Sequence, residues 1–359
     1  MIHQITIKAP FDAHVHLRKD EALRDVLIFT AQNCADAVAM GNLKIPVDNA
    51  DLVRAYSNEI RIIAKSIGYP SFNPVMTIML TPNTTIETIR HCATVAKVLK
   101  FIPANTSTNS GTGVALENIV EYYSVLKEVR NQGMIFSIHA EKILDDQNHE
   151  IPEAEREEAA LPFVAKIIND LPGLKIIVEH VSTKEACELV LNSPGNVAAT
   201  ITAHHVWLND TWLKDTYNKI NPRFYCKPVL KDEKHRKFVE EMMLSGYNKF
   251  FFGSDSAPHP FDKKLNTDSP AAGIFSAPVA IELITEVFER AGMLNRLENF
   301  LSLFGRKFYN LETPKKNLVI YKNDQKTWKI PSSVGQDKIP VLLGGLATNW
   351  HVKKMIHCH

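Results

Sequence analysis

Short apolar runs recur along the chain, and longer segments with a helical spacing of apolar residues lie between them. Eight runs, many of them rich in β-branched residues, are candidate strands: ITIKAPFDAHVHL, ADAVAMGNL, NPVMTIML, VAKVLKFI, MIFSIHAE, LKIIVEHVS, NVAATITAHHV and NKFFFGSDS. Segments such as DLVRAYSNEIRIIAKSI and DEKHRKFVEEMMLSG repeat apolar residues every three or four positions, which is typical of amphipathic helices. The pattern therefore predicts a regular alternation of strand and helix.

The strand runs are almost continuously apolar, which favours a parallel sheet whose outer face is covered by helices. Eight strand–helix units predict a closed (β/α)8 barrel. An open, doubly wound sheet would carry a GxGxxG turn after its first strand, and the sequence has none there. From about Leu311 the alternation gives way to short strands and turns. We therefore predict a barrel in residues 1–310 and a small C-terminal extension, 311–359, packed on it.

Composition narrows the class of protein. Lys plus Arg total 41 and Asp plus Glu total 40 in 359 residues, so net charge gives no argument for a nucleic-acid partner. No apolar stretch approaches the roughly 20 residues of a membrane span, and the N-terminus lacks the pattern of a signal peptide. The five cysteines form no CxxC pair, which suits a reducing compartment. We expect a cytoplasmic protein, and this composition is compatible with a small polar substrate.

Metal-binding residue types collect at the ends of the predicted strands. In a barrel of this type the carboxyl ends of the strands carry the chemistry. The residues that fall there are His14, His16, Lys100, His139, His180 and Asp255, with His259 close behind. A single histidine at a strand end is more often structural than a metal ligand. Several metal-binding residues at the same end of the predicted barrel, however, together predict a metal site.

The spacing of His14 and His16 has a geometric reason. Residues two apart on a strand point to the same side, so both imidazoles can face the barrel mouth and bind one ion, while Val15 faces the helices. Asp255 can complete the ligand set or act as a base. Arg18, two residues further, would point into the same mouth.

Other histidines compete for these roles. His204 and His205 end the seventh predicted strand, and the residues alone do not exclude them as ligands. We interpret them as pocket-rim or structural residues. The C-terminal tail also clusters His357, Cys358 and His359, to which we assign no function, because metal affinity at a chain terminus is usually adventitious.

Several motifs together resemble a known family. In chain order they are FDAHVHLR, LKFIPANTSTNSGTG, IFSIHAE, IVEHVSTKEA, RFYCKPVLK and GSDSAPH, followed by AAGIFSAP and LLGGLATNWHV. They are similar to the dihydroorotases of the amidohydrolase superfamily, specifically the free-standing bacterial type. The resemblance runs over residues 3–352. It implies the same (β/α)8 barrel and a binuclear zinc centre.

The resemblance also implies a role for each metal-binding residue. It assigns His14, His16 and Asp255 to one zinc ion, and His139 with His180 to the other. Lys100 matches the lysine that carbon dioxide converts to an N6-carboxylated side chain, which bridges the two ions together with a hydroxide. Asp255 matches the catalytic acid and base.

The family places the substrate carboxylate against Arg18, Asn42 and His259. The segment PANTSTNSGTG resembles the family's lid, in which Ser107 and Thr108 match two hydroxyl residues that reach the substrate. The chain departs from the family in having Ser at position 107, and in carrying MGN where relatives carry MPN before the second-strand loop.

Two further contacts that the resemblance implies are made by backbone groups, at Lys227 and Ala272, and hold the pyrimidine edge. Lys227 is a departure from the family. A backbone contact tolerates this change if the long side chain points away from the substrate.

The implied activity is the reversible cyclisation of N-carbamoyl-L-aspartate to L-dihydroorotate, the third step of pyrimidine biosynthesis, in a cytoplasmic homodimer. One alternative is another cyclic amidohydrolase of the dihydropyrimidinase, hydantoinase or allantoinase type. A second is a catalytically silent homologue that serves as a structural subunit. The set Arg18, Asn42 and His259 argues against the first, because a ring without a carboxylate leaves a cation unpaired. The complete ligand set argues against the second.

Overall fold

The computed structural model describes residues 2–111, 113–214, 219–323 and 325–357. The strands in chain order are β1 (Ile2–Lys8), β2 (Phe11–Val15), β3 (Asp36–Ala39), β4 (Asn73–Met79), β5 (Val98–Phe101), β6 (Ile135–Ile138), β7 (Lys175–Val178), β8 (Val197–Ile201), β9 (Phe250–Phe252), β10 (Lys316–Asn323), β11 (Trp328–Lys329), β12 (Ser333–Val334), β13 (Ile339–Pro340), β14 (Ala347–Thr348) and β15 (Trp350–His357).

The helices in chain order are α1 (Asp20–Ala31), α2 (Ala50–Ser66), α3 (Ile86–Cys92), α4 (Tyr123–Asn131), α5 (Arg156–Asp170), α6 (Lys184–Asn192), α7 (Ala203–Trp207), α8 (Glu233–Leu244), α9 (Phe261–Lys264), α10 (Ala280–Arg290) and α11 (Phe304–Tyr309). Short 3₁₀ segments lie at Leu116–Tyr122, Asp210–Leu213, Pro222–Phe224 and Leu294–Arg296, and a π-helical segment lies at Asn299–Leu303. Within the described ranges, none of these helices has the length and apolar character that crossing a membrane requires.

Strands β2 to β9 form one parallel sheet in chain order. The sheet closes where the ends of β2 and β9 meet. His16 N donates to Ser256 O at 3.0 Å, and Asp255 N donates to His14 O at 2.9 Å. The predicted (β/α)8 barrel is confirmed.

The first predicted strand differs from the observed structure. ITIKAPFDAHVHL divides at Ala9 and Pro10, and only β2 belongs to the barrel. Pro10 has no N–H to donate to a ladder, so the run is interrupted there. Strand β1 instead pairs antiparallel with β10, which also pairs with β15.

The C-terminal segment contains the short strands and turns that the sequence predicts, β10 to β15. It packs on the barrel through α10, because Glu282 accepts from Val352 N at 3.2 Å and Glu289 accepts from Trp350 Nε1 at 3.0 Å. Since β1 joins this sheet, the N-terminal strand belongs to it in space. The division of the chain at residues 310 and 311 stays an interpretation of the sequence.

Helix α2 illustrates how the sequence sets a helix and its buried face. Asn49 precedes it, and the Asn49 side chain accepts from Asp51 N and Leu52 N at 3.1 and 3.0 Å. Its buried residues, spaced three or four apart, are Val53, Tyr56, Ile60 and Ala64. Tyr56 Oη donates to Arg18 O at 2.7 Å, so this helix also fixes the backbone of a residue at the barrel mouth.

The barrel interior is packed with apolar side chains at the N-terminal end of the strands. The interior cluster consists of Phe11, Ala13, Val38, Met40, Val75, Val98, Ile135, Ile177, Ala198, Phe251 and Tyr309. Tyr309 comes from α11, which covers this end of the barrel, and its ring centre lies 5.0 Å from that of Phe11. The filled end leaves the C-terminal mouth as the place for a site.

Gly305→Ala should destabilise the fold, because α11 approaches the barrel closely at Gly305. A Cβ there would lie 2.8 Å from Phe11 Cδ1 and 3.2 Å from Phe251 Cδ2. Overpacking costs about 1–3 kcal/mol, which outweighs the ~0.5–1 kcal/mol that alanine gains in a helix. We expect the free energy of unfolding, measured with denaturant, to fall by about 1 kcal/mol or more. Gly195→Ala is the control, since a Cβ there meets no atom within 4 Å; equal effects would contradict the packing argument.

Candidate metal centre and substrate pocket

A β-bulge on β2 aims the first two histidines into the barrel mouth. Phe11 pairs with Asp36 and Asp12 with Ala37, but the next pair is Val15 with Ala39, so β2 has one extra residue there. Ala13 belongs to the interior cluster, and Val15 belongs to the outer core under the helices. The bulge therefore turns His14 inward directly after Ala13, and His16 follows by the alternation of the strand.

Asp12 fixes this bulge to the neighbouring strand. Its Oδ1 accepts from His14 N at 3.1 Å and from Ser254 N at 2.8 Å. Burial raises the pKa of Asp12 to about 6. The two hydrogen bonds connect the end of β2 with the turn that follows β9, and Asp255 lies in that turn.

His14, His16 and Asp255 bring three ligand atoms together. His14 Nε2 lies 3.3 Å from His16 Nε2, and Asp255 Oδ1 lies 3.4 and 3.2 Å from these two nitrogens. A tetrahedral ion with metal–nitrogen bonds of about 2.0–2.1 Å holds its ligand atoms roughly 3.3 Å apart. The three atoms therefore have the spacing that one bound metal ion requires.

A second pair of ligand atoms adjoins the first group. His139 Nδ1 lies 3.1 Å from His180 Nε2, and the rings of His180 and His14 are 5.1 Å apart between centres. Lys100 is only 1 % exposed, and its Nζ makes no hydrogen bond within the described residues. Burial lowers the pKa of Lys100 to about 8, against the opposing charges of Glu179 and Asp255.

Burial keeps the histidines in the form that binds metal. It lowers the pKa of His16 to about 4 and holds the pKa of His180 well below its usual value. Both imidazoles are therefore neutral near pH 7, as metal ligation requires. Burial acts to raise the pKa of Asp255, but the hydrogen bond with His16 and the nearby histidines outweigh it, and this pKa lies well below its ordinary value. The carboxylate is ionised.

Beside the ligand groups lies a cation that has no anionic partner. Arg18 Nε donates to Pro258 O at 2.7 Å, and Arg18 Nη2 lies 3.1 Å from His259 Nε2. Across the described ranges, no carboxylate lies within ion-pair distance of Arg18. Burial lowers the pKa of Arg18 to about 10, so the guanidinium stays charged at neutral pH.

The tautomer of His259 decides what Arg18 can bind. His259 Nε2 also lies 2.9 Å from Ala272 O, and a carbonyl oxygen can only accept. If Nε2 carries the hydrogen for that bond, it cannot accept one from Arg18. The guanidinium then has a donor left for an external acceptor, and an anion such as a carboxylate suits it.

The loop segment 103–111 lies across the mouth of the pocket. Asn42 Nδ2 donates to Thr108 O at 3.3 Å, and Asn109 Nδ2 donates to Asn42 O at 3.1 Å. Thr108 Oγ1 donates to Ala272 O at 3.4 Å on the opposite wall. The loop is thus hydrogen-bonded on two sides of the pocket.

The structure brings nearly all of the sequence-predicted site residues to one pocket. Its lining includes His14, His16, Arg18, Asn42, Lys100, Ser107, Thr108, His139, His180, Lys227, Asp255 and Ala272. His259 lies directly behind this lining, in contact with Arg18 and Ala272. The ammonium group of Lys227 lies 3.9 Å from Oε1 of Glu153, a residue outside the pocket lining.

The chain is similar over almost its whole length to curated proteins named dihydroorotase. The protein from Aliivibrio fischeri (strain MJ11) is 38% identical over 354 residues, which cover 97% of this chain and 99% of the relative. That from Teredinibacter turnerae is 37% identical over 360 residues, with 99% and 100% coverage. The chain belongs to the dihydroorotase family. No model in a scan of protein families matches the chain.

Solved structures agree with this family assignment. The dihydroorotase from Saccharomyces cerevisiae, solved in complex with 5-fluoroorotic acid, superposes with a TM-score of 0.89 at 31% identity, and the match covers 98% of each chain. The dihydroorotase from Campylobacter jejuni gives a TM-score of 0.86 at 29% identity, also over 98% of each chain. The L-hydantoinase from Arthrobacter aurescens gives 0.78 at 13% identity, covering 99% of this chain and 84% of that one, which shows the fold alone.

Two glutamates next to the ligands in sequence are functional candidates that sequence reasoning missed. Glu141 Oε2 lies 2.7 Å from His139 Nε2, and Glu179 Oε2 lies 2.9 Å from His14 Nδ1. A carboxylate on the second ring nitrogen fixes the tautomer and orientation of a ligating histidine. Each contact thereby assigns the other nitrogen of its histidine to the metal-facing side. The motifs IHAE and VEH contain these residues, but a glutamate beside a histidine gives no sign of such a contact.

Of the two glutamates, Glu179 contacts more of the surrounding strands. It is 1 % exposed and accepts from Thr200 Oγ1 at 2.6 Å and from Ser137 Oγ. Burial acts to raise the pKa of Glu179, but its contacts with His14, Lys100 and Ser137 outweigh burial and hold this pKa at about 2. One buried carboxylate thus joins β2, β6, β7 and β8 beneath the ligand groups.

The competing histidines lie outside the pocket lining. His205 uses both ring nitrogens, at 2.9 Å from Thr202 Oγ1 and 3.0 Å from Pro228 O. With His204 and Cys226 it forms a second buried group whose ligand-type atoms lie within 4.8 Å of one another. Because the protein itself occupies both nitrogens of His205, the structural interpretation fits this residue. In the tail, Cys358 and His359 lie outside the described residues.

Glu179→Gln should weaken metal binding, because it removes the charge that orients His14. Loss of such a partner costs about 10- to 100-fold in metal affinity, which competition with a chromophoric chelator measures. Glu282→Gln is the matched control, since Glu282 is also buried but accepts from Val352 N, away from the ligand groups. An affinity unchanged by Glu179→Gln would remove the orienting role.

Proposed function

We propose that the chain is a dihydroorotase that catalyses the reversible cyclisation of N-carbamoyl-L-aspartate to L-dihydroorotate with loss of water, the third step of pyrimidine biosynthesis. The observation that carries this proposal is a single pocket with two adjacent groups of metal-ligand atoms beside an unpaired guanidinium, Arg18. The names of the full-length relatives support the same activity.

The proposed cofactor is a pair of zinc ions. His14, His16 and Asp255 would hold one ion, and His139 with His180 would hold the other. The spacing of the ligand atoms, between 3.1 and 3.4 Å, supports both assignments. Bound zinc would supply a Lewis acid for the amide carbonyl and would lower the pKa of a water molecule towards neutrality.

Lys100 fits this centre only in a changed chemical form. An ammonium group at this position would repel both cations, and its buried Nζ has no acceptor in the described part of the chain. Reaction of the amine with carbon dioxide gives a carbamate and releases a proton. The carbamate offers two anionic oxygens, which suit a bridge between two metal ions. We propose that Lys100 is N6-carboxylated.

The substrate carboxylate would bind Arg18, with Asn42 and His259 on the same group. Ser107 and Thr108 would offer hydroxyl groups from the loop above. On the opposite wall, the N–H groups of Lys227 and Ala272 donate to no atom of residues 2–111, 113–214, 219–323 and 325–357. Backbone donors of this kind suit the polar edge of a pyrimidine ring.

Asp255 is the proposed acid and base. The ionised carboxylate can accept a proton from the attacking water in the hydrolytic direction and can then deliver it to the departing ring nitrogen. In the synthetic direction the same carboxyl group acts as the acid. Its backbone N–H, which donates to His14 O at 2.9 Å, fixes the position of the residue.

The alternatives predict a different pocket. The substrates of a dihydropyrimidinase or hydantoinase carry no carboxylate on the ring, which would leave Arg18 unpaired in a partly buried position. A catalytically silent homologue needs no complete set of metal ligands. In this chain, each of the six proposed ligand positions carries a residue that can bind metal. By the family resemblance, we also propose that the enzyme acts in the cytoplasm as a homodimer.

Arg18→Met should raise the KM for dihydroorotate by about 10- to 100-fold with a smaller change in kcat, because it removes a charge-assisted hydrogen bond of roughly 1.5–3 kcal/mol. Steady-state rates with dihydroorotate and dihydrouracil, together with metal content per chain, test this prediction and the proposed function.

The unaltered enzyme should prefer dihydroorotate, and Arg18→Met should reduce that preference. Arg54→Met, which removes an exposed arginine paired with Asp51, is the control. Preference of the unaltered enzyme for dihydrouracil would reject the proposal.

Lys100→Ala should abolish turnover, because it removes the bridging ligand. Short carboxylic acids added to the variant should restore part of the activity, since they supply the missing oxygens. Lys142→Ala is the control, because it removes another buried lysine, whose Nζ pairs with Asp146 at 2.8 Å. Full activity of Lys100→Ala without added acid would show that Lys100 does not bridge.

A further inference from the structure

One buried lysine near the pocket has no part in the proposed chemistry. Lys264, at the end of α9, is 3 % exposed, and within the described residues no carboxylate lies in ion-pair distance of it. Its Nζ donates to Tyr225 O at 2.7 Å and to Ala271 O at 3.2 Å. Burial lowers its pKa to about 7. A lysine without a carboxylate partner is rarely buried so deeply, because burying the charged group costs free energy. The contacts of Lys264 should therefore explain why it is buried.

The two carbonyl groups belong to the two backbone segments that form one wall of the pocket. Tyr225 lies two residues before Lys227, and Ala271 directly precedes Ala272. Both Lys227 and Ala272 line the pocket. The ammonium group of Lys264 therefore cross-links the segments 225–228 and 271–273 from behind.

A direct hydrogen bond also joins the two segments, which pack closely against each other. Gly273 N donates to Tyr225 O at 3.0 Å, so this carbonyl accepts from both Gly273 and Lys264. A Cβ at Gly273 would lie 2.7 Å from Ala257 Cβ, and the φ of Gly273 is +140°. The segment 271–273 is therefore packed against both Tyr225 and Ala257.

Helix α9 connects this cross-link to the carboxylate side of the pocket. Lys264 N donates to Pro260 O at 2.8 Å, and Ala271 N donates to Lys263 O at 3.0 Å. His259, which adjoins Pro260, contacts Ala272 O through its Nε2. The same short element thus holds His259, Lys264 and the second segment in one arrangement.

We propose that Lys264 is a positioning residue that fixes the backbone segments 225–228 and 271–273, so that the N–H groups of Lys227 and Ala272 present a preformed edge to the pyrimidine ring. The effect on substrate rests on the proposed function, whereas the fixing of the two segments does not. Since misplaced binding groups lose much of their contribution, the side chain would act on substrate affinity without touching the substrate.

The test compares Lys264→Met with Lys249→Met. The Lys249 Nζ also donates to backbone carbonyls, of Val190 and Leu191 at 3.0 and 3.2 Å, but it precedes β9 at the opposite end of the barrel. We expect Lys264→Met to raise the Kd for 5-fluoroorotic acid by ~10- to 100-fold and to speed hydrogen exchange in both segments. Metal content should stay unchanged, and Lys249→Met should show neither effect.

Unchanged affinity and unchanged exchange in Lys264→Met would overturn the proposal, and so would an equal loss of affinity in Lys249→Met. If Lys264→Met does not fold, the unaltered chain still provides a test. Its Gly273 amide should then exchange slowly without ligand, and fast exchange would overturn the proposal. If the unaltered chain fails to bind 5-fluoroorotic acid while Lys264→Met still loosens both segments, the proposed function fails and the positioning role stands.

Discussion

The rest of the site depends on the closure of the barrel between β2 and β9. Backbone hydrogen bonds from Asp255 to His14 and from His16 to Ser256 join the two strand ends. Asp12 adds a side-chain link, because one carboxylate oxygen accepts from the N–H groups of His14 and Ser254. The candidate metal ligands His16 and Asp255 lie 239 residues apart in the chain and meet only because this seam closes. Gly253 permits the close approach, since a Cβ there would lie 3.1 Å from His14 Cβ on β2, and 2.8 Å from Thr200 Cβ on β8.

Unusual backbone conformations and buried charges are concentrated around the pocket. Arg18, His180 and Asp255 have φ values of +61°, +41° and +41°, which residues other than glycine rarely adopt. Two of the buried charges are balanced by specific groups. The carboxylate of Glu179 is opposed by His14 and Lys100, and the ammonium of Lys264 is held by two carbonyl groups. Such satisfied polar contacts hold the ligand and substrate groups in place before any ligand binds.

Much of this arrangement follows from local patterns. The apolar runs predicted the eight barrel strands, and the alternation of side chains predicted that His14 and His16 share a side. The split of the first run after Ala9 was missed, because both halves are apolar and only the partner strands distinguish β1 from β2. The bulge at Ala13 was missed for a related reason, since it is a mismatch in length between β2 and β3. Glu179 and Lys264 gave no signal, because their partners come from distant strands and loops. Glu141 gave none because its contact with His139, two residues away, depends on how the two side chains are oriented.

The sequence by itself determined the fold class, the strand ends and the residue types available for metal and carboxylate binding, because the periodicity of side chains and the motif order are local properties. Only the tertiary structure decided which nitrogen of His14 and His139 faces the candidate ligand groups and that Lys264 joins two backbone segments of one pocket wall. It also decided that no carboxylate of the described residues pairs with Arg18. Apart from the contact of His139 with Glu141, these are distances between groups far apart in the chain. They are set when the sheet closes and the loops pack around its mouth.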